Sequence, residues 1–148
     1  MAAPDFMGLA LAEAKAAAEA GEVPVGCVVV KNGEVLATAN NRTLRDRDPT
    51  AHAEVLALRG AAKKLESERL IDCDLYVTLE PCTMCASAIS FARIRRLYFG
   101  AYDPKGGAVE SGVRFFSAPT CHHKPEVYGG IGEAEAAAIL KNFFAAKR

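Results

Sequence analysis

The chain has 148 residues, 51% of them hydrophobic and 24% charged, which predicts one domain over residues 1–148 with a substantial core. The 18 basic and 18 acidic side chains give a formal net charge of zero. This balance argues against the broad basic surface of a general nucleic-acid-binding protein, but it is compatible with recognition of a short RNA loop through local contacts.

The first segment and the cysteines predict a cytoplasmic protein that makes no membrane contact. Asp5, Glu13 and Lys15 interrupt the alanine-rich start, so it does not have the pattern of a secretory signal, and no apolar run is long enough to span a membrane. The five cysteines are irregularly spaced and odd in number, unlike a disulfide framework. Free thiols are typical of a reducing compartment.

The predicted helices and strands are separated by turn residues. Asp5 can cap the first helix, and Asn32-Gly33 between two apolar runs is a strong hairpin signal. The run from Cys27 to Val30 lacks polar alternation, so we expect that strand to be buried on both faces. In chain order the elements are a helix over 6–20, strands over 25–31 and 34–39, a helix over 51–65, a strand over 75–79, a helix over 82–92, a strand over 97–100, a short strand over 126–128 and a helix over 133–147.

This order of elements predicts the α/β class. A hairpin followed by helix–strand–helix–strand units favours a mixed five-stranded sheet with helices on both faces, which is a three-layer α/β/α sandwich. In such sheets, sites usually lie where helices follow the ends of strands.

Two short motifs carry the candidate chemistry. The first is Thr50-Ala51-His52-Ala53-Glu54, and the second runs from Leu79 to Cys85 with Pro81, Cys82 and Cys85 in a P-C-x-x-C pattern. One histidine and two cysteines suit Zn²⁺, and three protein ligands leave the fourth position open, as in catalytic zinc sites. H-x-E with P-C-x-x-C is also the signature of zinc-dependent nucleobase deaminases.

Both motifs are expected at the beginnings of helices. Thr50 is a good N-cap, which places His52 and Glu54 in a first helical turn, and Pro81 suits the first position of a helix that then contains Cys82 and Cys85 in its opening turn. Unpaired N–H groups and the helix dipole favour thiolates there. We therefore expect two helix N-termini to face one metal ion.

Glu54 favours a hydrolytic site, because a structural zinc site needs no carboxylate to move a proton. The alternative is a structural site whose fourth ligand is Cys73, Cys121 or His122. A C-x-x-C pair taken alone could also be a redox pair.

Further stretches extend the similarity beyond the metal motifs. They are Glu22-Val23-Pro24-Val25-Gly26, Asn41-Arg42, Leu75-Tyr76-Val77-Thr78-Leu79, Phe99-Gly100-Ala101 and the Phe143-Phe144 ending. Together with the metal motifs they resemble the bacterial tRNA-specific adenosine deaminase family over essentially the whole chain. The resemblance implies the cytidine-deaminase-like fold, a homodimer, and conversion of the wobble adenosine in the anticodon loop of an arginine tRNA to inosine.

The resemblance also implies roles for individual residues. His52, Cys82 and Cys85 would hold one zinc ion per chain, with Glu54 as the proton shuttle. Zinc would lower the pKa of its bound water toward about 7, and the hydroxide would attack C6 of a flipped-out adenine while Glu54 delivers protons to N1 and to the departing ammonia. The residues expected to contact the substrate are Asn41, Ala53, Asp103, Lys105, His122 and Phe144.

Taken alone, several of these residues have simpler interpretations. Asn41 could cap a loop, Asp103 and Lys105 could be turn residues, and Phe144 could belong to the core. Two other functions use the same motifs. One is a small-molecule deaminase acting on guanine, cytosine or a nucleotide, and the other is a non-catalytic, zinc-containing RNA-binding subunit, against which Glu54 argues.

Overall fold

A computed structural model describes residues 5–147 of the chain. Its helices are α1 (Phe6–Glu19), α2 (Ala53–Leu65), α3 (Thr83–Ala92) and α4 (Glu133–Ala146), with a 3₁₀ turn over Phe115–Ser117. Its strands are β1 (Gly26–Lys31), β2 (Glu34–Asn40), β3 (Cys73–Leu79), β4 (Arg96–Ala101) and β5 (Glu126–Tyr128). Every helix and strand expected from the sequence is present. None of the described helices is both long enough and apolar enough to cross a membrane.

The five strands form one mixed sheet in the order β2-β1-β3-β4-β5. β1 is antiparallel to both neighbours, whereas β4 is parallel to β3 and β5 is parallel to β4. The expected α/β class and mixed five-stranded sheet are therefore confirmed. β3 begins at Cys73, earlier than expected, because the ladder with β1 extends to the pair Lys31–Cys73.

Helices cover both faces of the sheet. α1 and α4 pack on one face, where β1 contributes Val28 and Val30 to an apolar cluster with Met7 and Leu11 of α1. α2 and α3 cover the other face, where the larger cluster contains Cys27 and Val29 of the same strand. β1 is thus buried on both sides, as its uninterrupted apolar run predicted.

Gly26 marks the place where β1 passes closest to α1. A Cβ atom at this position would overlap the carbonyl oxygen of Ala10 and lie 2.7 Å from the backbone nitrogen of Ala14. These obstacles are backbone atoms of a helix, so they cannot rotate away as a flexible side chain could. The close contact fixes the height of α1 above β1.

We therefore expect Gly26→Ala to lower the free energy of unfolding by about 3 kcal/mol, at the upper end of typical overpacking costs. Gly60→Ala is the matched control, because its Cβ would meet only the methyl group of Ala37 at 3.1 Å and alanine favours a helix by about 0.5–1 kcal/mol. Urea unfolding followed by circular dichroism measures both changes. Equal stability of the two variants would contradict the close-contact argument.

Candidate active site

The two sequence motifs meet where α2 and α3 begin. His52 is the N-cap of α2 and Glu54 lies in the first turn of that helix. Cys82 is the N-cap of α3 and Cys85 lies in its first turn, directly after strand β3 and the connecting residues Glu80-Pro81. Two helix N-termini therefore face the same point, as expected from the sequence.

The capping residues differ from the prediction. Thr50 does not cap α2, because its hydroxyl and its backbone N–H both donate to Oδ1 of Asp48, at 2.7 and 2.8 Å. Pro81 is not the first helical residue of α3, since that helix begins at Thr83. His52 and Cys82 hold the N-cap positions without a side-chain cap hydrogen bond, which leaves the imidazole and the thiol directed toward each other.

The His52, Cys82 and Cys85 side chains form a cluster that could hold a metal ion. Nδ1 of His52 lies 3.6 Å from Sγ of Cys82 and 3.4 Å from Sγ of Cys85. Tetrahedral zinc with bonds of about 2.0 Å to nitrogen and about 2.3 Å to sulfur separates such ligands by about 3.5 Å. The donor types and their spacing therefore both fit the ion.

The residues considered as a fourth ligand lie outside this cluster. Within residues 5–147, the side chains able to share an ion here are His52, Cys82 and Cys85 alone. Cys73 is fully buried at the start of β3, and Sγ of Cys121 donates to the carbonyl of His123 at 3.1 Å. The open-site arrangement is therefore favoured over a closed structural one.

The electrostatics of the cluster favour the thiolate form of Cys82, whereas the hydrogen bond with Cys82 and burial raise the pKa of Cys85. Hydrogen bonding from Cys85 and His52 lowers the pKa of Cys82 to about 4, against the opposing effect of burial. The same contact with Cys82 raises the pKa of His52. A thiolate is the form of cysteine that binds metal ions.

Glu54 is a buried carboxyl group at the base of the site. Only 4% of the residue is exposed, and burial raises its pKa to about 7. A carboxyl group with a pKa near neutrality can both accept and return a proton at physiological pH. This property suits the shuttle role expected for Glu54.

A cavity of about 300 Å³ opens above the cluster. Of the residues predicted to contact substrate, Asn41, Ala53 and Asp103 line it, together with His52, Cys82 and Glu54. The remaining lining residues are Val23, Val25, Thr43, Leu79, Glu80 and Gly106. We call this space the metal-site cavity.

Asn41 has an unsatisfied acceptor at the wall of this cavity. Its Nδ2 donates to the carbonyl of Val23 at 3.4 Å, while its buried Oδ1 has no hydrogen-bond partner among the described residues. A buried carbonyl oxygen without a donor is costly. The loop-capping interpretation accounts for only one end of this amide.

A second cavity of about 740 Å³ adjoins the first and shares Val23, Leu79 and Asp103 with it. We call it the adjoining cavity. Lys105 and Phe144, both predicted to contact substrate, line it with Tyr102, Leu140 and Lys147. Phe144 is 47% exposed, so it is not a core residue.

His122 lies elsewhere. It is exposed in the segment between the 3₁₀ turn and β5 and is not among the described residues that line either cavity. The structure therefore brings together five of the six predicted substrate contacts around two connected spaces.

Sequence reasoning missed two buried carboxylates near these spaces. Glu80 is 2% exposed and lines the metal-site cavity, and Glu22 is fully buried. Glu80 directly follows strand β3 and precedes the P-C-x-x-C motif. A charged residue between two segments that are expected to be buried was the sequence signal that could have identified this carboxylate, because glutamate is rarely buried unless its charge is paired.

Comparisons with known proteins identify the family. The family model described as MafB19-like deaminase matches residues 1–148. A tRNA-specific adenosine deaminase of Agrobacterium fabrum is 64% identical over 143 residues, covering 97% of this chain and 94% of the relative. The protein of the same name from Bacillus subtilis is 43% identical, covering 94% of this chain and 86% of the relative.

Solved structures share the fold. One comes from a study of A-to-I editing by tRNA:A34 deaminases at the wobble position of transfer RNA. It is 65% identical with a TM-score of 0.90, covering 91% of this chain and 98% of that one. A guanine deaminase from Nitrosomonas europaea is 27% identical with a TM-score of 0.83, covering 98% and 86%. The chain belongs to the MafB19-like deaminases and, at this level of identity, to the tRNA-specific adenosine deaminases of the cytidine deaminase superfamily.

Proposed function

We propose that this chain hydrolyses adenosine to inosine and ammonia at the wobble position of a tRNA anticodon loop, with an arginine tRNA as the expected substrate and the cytoplasm as its location. The observation that carries the proposal is the three-ligand cluster with a buried carboxyl group beside it, facing a cavity of about 300 Å³. This volume is at the lower end for ligand sites, which suits one base and not a stacked duplex.

Zinc is the proposed ion, held by His52, Cys82 and Cys85. When bound, it supplies a Lewis acid that lowers the pKa of a water molecule at the open position. With the ion bound, the two cysteines would be thiolates that balance its charge, and the imidazole would be neutral. The donor set and the spacing of about 3.5 Å support zinc over harder cations, which prefer oxygen ligands.

Glu54 carries the protons in this proposal. Its carboxylate takes one proton from the attacking water and delivers it to N1 of adenine; it then takes the remaining proton of the new hydroxyl group on C6 and passes it to the amino group, so that ammonia leaves as the C6 carbonyl forms. Burial holds its pKa near the value at which both directions of transfer are feasible. No second acid among the lining residues is required.

The walls of the two cavities supply the contacts that distinguish an RNA loop from a free base. The unsatisfied Oδ1 of Asn41 offers an acceptor to the base or its ribose. In Asp103, Oδ1 accepts from the backbone N–H groups of Lys105 and Gly106, while Oδ2 has no partner among the described hydrogen bonds. Lys105 and Phe144 line the adjoining cavity, where flanking nucleotides can bind by charge and stacking.

The homodimer expected from the resemblance is proposed on the basis of α3. Phe91 is 71% exposed at the end of this helix, which carries no charged side chain. The last helix does not cover it, because α4 packs on the opposite face of the sheet. A groove of about 560 Å³ beside Phe91 is mainly apolar, with Val55, Leu58 and Ala88 in its wall. A second copy of the chain is the proposed covering.

The first prediction from the proposed function separates metal binding from proton transfer. We expect Cys82→Ala/Cys85→Ala to lose the metal, whereas Glu54→Ala retains about one zinc per chain and loses at least about 100-fold in turnover, because general acid–base catalysis is worth 10²–10⁴-fold. Metal analysis of purified protein and ammonia release from an RNA anticodon stem-loop measure the two effects. Full metal retention in the double variant would overturn the ligand assignment, and near-normal turnover in zinc-loaded Glu54→Ala would overturn the shuttle.

The second prediction concerns the substrate. We expect the RNA anticodon stem-loop to be deaminated much faster than its deoxy counterpart, free adenosine or free guanine, because contacts remote from C6 hold the base in place. Asp103→Asn keeps the Oδ1 acceptor for the turn but replaces Oδ2 with a donor, so it should reduce the preference for RNA over DNA.

Ammonia release from the four substrates measures this selectivity. Asp46→Asn is the matched control, since Asp46 pairs with Arg42 at 3.0 Å outside the two cavities. Equal wild-type rates on all four substrates would contradict the proposal, and faster turnover of free guanine would favour the guanine deaminase alternative.

The third prediction tests the homodimer. We expect wild type to be dimeric at micromolar concentration and Phe91→Glu to shift it toward monomer, because a charge in an apolar contact is costly to bury. Light scattering measures both masses, with Leu9→Glu as a control at an exposed apolar position of α1, on the opposite face of the sheet. A monomeric wild type would end this proposal.

A further inference from the structure

Two carboxylates are buried beside the loops that border the metal-site cavity, and neither belongs to the metal cluster. Glu22 is fully buried and Glu80 is 2% exposed. A buried carboxylate is stable only when its oxygens receive hydrogen bonds or an opposite charge. The partners of these two side chains show which parts of the chain each one fixes.

Glu80 accepts hydrogen bonds from one loop only. Its Oε1 accepts from the backbone N–H of Asp103 at 3.0 Å and from the hydroxyl of Ser111 at 2.8 Å. Its Oε2 accepts from the backbone N–H groups of Val109, Glu110 and Ser111, at 3.1, 2.8 and 2.9 Å. Among the described residues it forms no ion pair, so the segment from Asp103 to Ser111 is wrapped around a carboxylate held almost entirely by the main chain.

The loop also packs tightly against this carboxylate. A Cβ atom at Gly107 would lie 2.6 Å from Cδ of Glu80 and 2.5 Å from the carbonyl oxygen of Asp103. The loop therefore has little room to shift as long as Glu80 keeps its place. Asp103 and Gly106 of this loop line the metal-site cavity.

Glu22 holds a second loop that borders the cavity in the same manner. It accepts from the backbone N–H of Leu44 at 3.1 Å, and from the backbone N–H and Nε of Arg45 at 2.9 and 3.0 Å. The guanidinium of Arg45 then donates to the carbonyl of Asn41 at 2.6 Å. Asn41 and Thr43 of this loop line the cavity.

We propose that Glu80 and Glu22 are positioning residues that fix the two loops lining the substrate cavity relative to the metal cluster, and so set the affinity for the RNA loop. This rests on the proposed function, since it assigns the walls to RNA binding. A glutamine at either position is isosteric but directs an NH₂ group at backbone N–H donors. Some of those donors then lose their acceptor, and the loop that carries them loosens.

The test compares Glu80→Gln with Glu22→Gln by amide hydrogen exchange. We expect Glu80→Gln to speed exchange at Val109, Glu110 and Ser111 about tenfold or more, with Leu44 and Arg45 unchanged. Glu22→Gln should give the reciprocal pattern. Zinc content is measured in parallel and should remain about one per chain.

The kinetic arm uses the RNA anticodon stem-loop. Both variants should raise KM about tenfold while kcat falls less than about threefold, because loosened walls weaken binding that is common to ground and transition states. Ser111→Ala, which removes only one donor to Glu80, should show a smaller change in the same direction and is the arm to use if Glu80→Gln fails to fold. Ser67→Ala is the control for Ser111→Ala, because it removes a serine hydroxyl from a turn outside both cavities. It should leave amide exchange and KM unchanged.

Local exchange changes with a raised KM support the proposal. Unchanged exchange in Val109–Ser111, or faster exchange spread evenly over the sheet, would overturn it. Inactivity of wild type on the stem-loop would refute the proposed function, whereas the exchange patterns test the positioning of the loops independently of activity.

Discussion

Buried negative charge around one cavity is the constraint on which this structure depends. The buried side chains of Glu22, Glu54 and Glu80 and the half-buried Cys82 thiol all lie within or beside the site, where loss of hydration disfavours ionisation. Each is stabilised differently. Glu22 has a guanidinium and backbone N–H groups, Glu80 has backbone N–H groups and a hydroxyl, and Cys82 has His52 and Cys85. Glu54 has the least compensation, which is why its pKa rises to about 7.

This difference distinguishes the carboxyl group that can transfer protons from the two carboxylates that hold loops in place. A carboxylate that accepts several hydrogen bonds keeps its charge and cannot readily give or take a proton. Glu80 and Glu22 are of that kind, because hydrogen bonds outweigh desolvation by burial and lower the pKa of each. Glu54, with a pKa raised by burial, is suited to proton transfer. The sequence alone distinguishes Glu54 by its place in the H-x-E motif, and the structure adds the physical reason.

The sequence was sufficient to predict the sheet, the hairpin and the grouping of His52, Cys82 and Cys85. The sheet and the hairpin follow from local patterns, and the grouping follows from the H-x-E and P-C-x-x-C motifs. It was insufficient for the caps of α2 and α3. Thr50 is a residue type that often caps helices, but its hydroxyl donates to Asp48 instead. His52 and Cys82 occupy the N-cap positions. The role of Glu80 was also beyond the sequence, since its partners lie 23 to 31 positions away in a loop without regular structure.

The fold and the candidate metal ligands do not by themselves identify the substrate. A guanine deaminase shares this architecture with a TM-score of 0.83 at 27% identity, so selectivity must come from the walls and not from the scaffold. The segment from Leu79 to Cys82 connects the metal cluster with the cavity wall that carries Asp103. Glu80 anchors the loop that carries Asp103, and Cys82 contributes to the metal cluster only two positions later. Glu80 therefore holds the loop that carries Asp103 close to the reacting centre, because the carboxylate that anchors the loop and the thiol of the metal cluster belong to one short connection between β3 and α3.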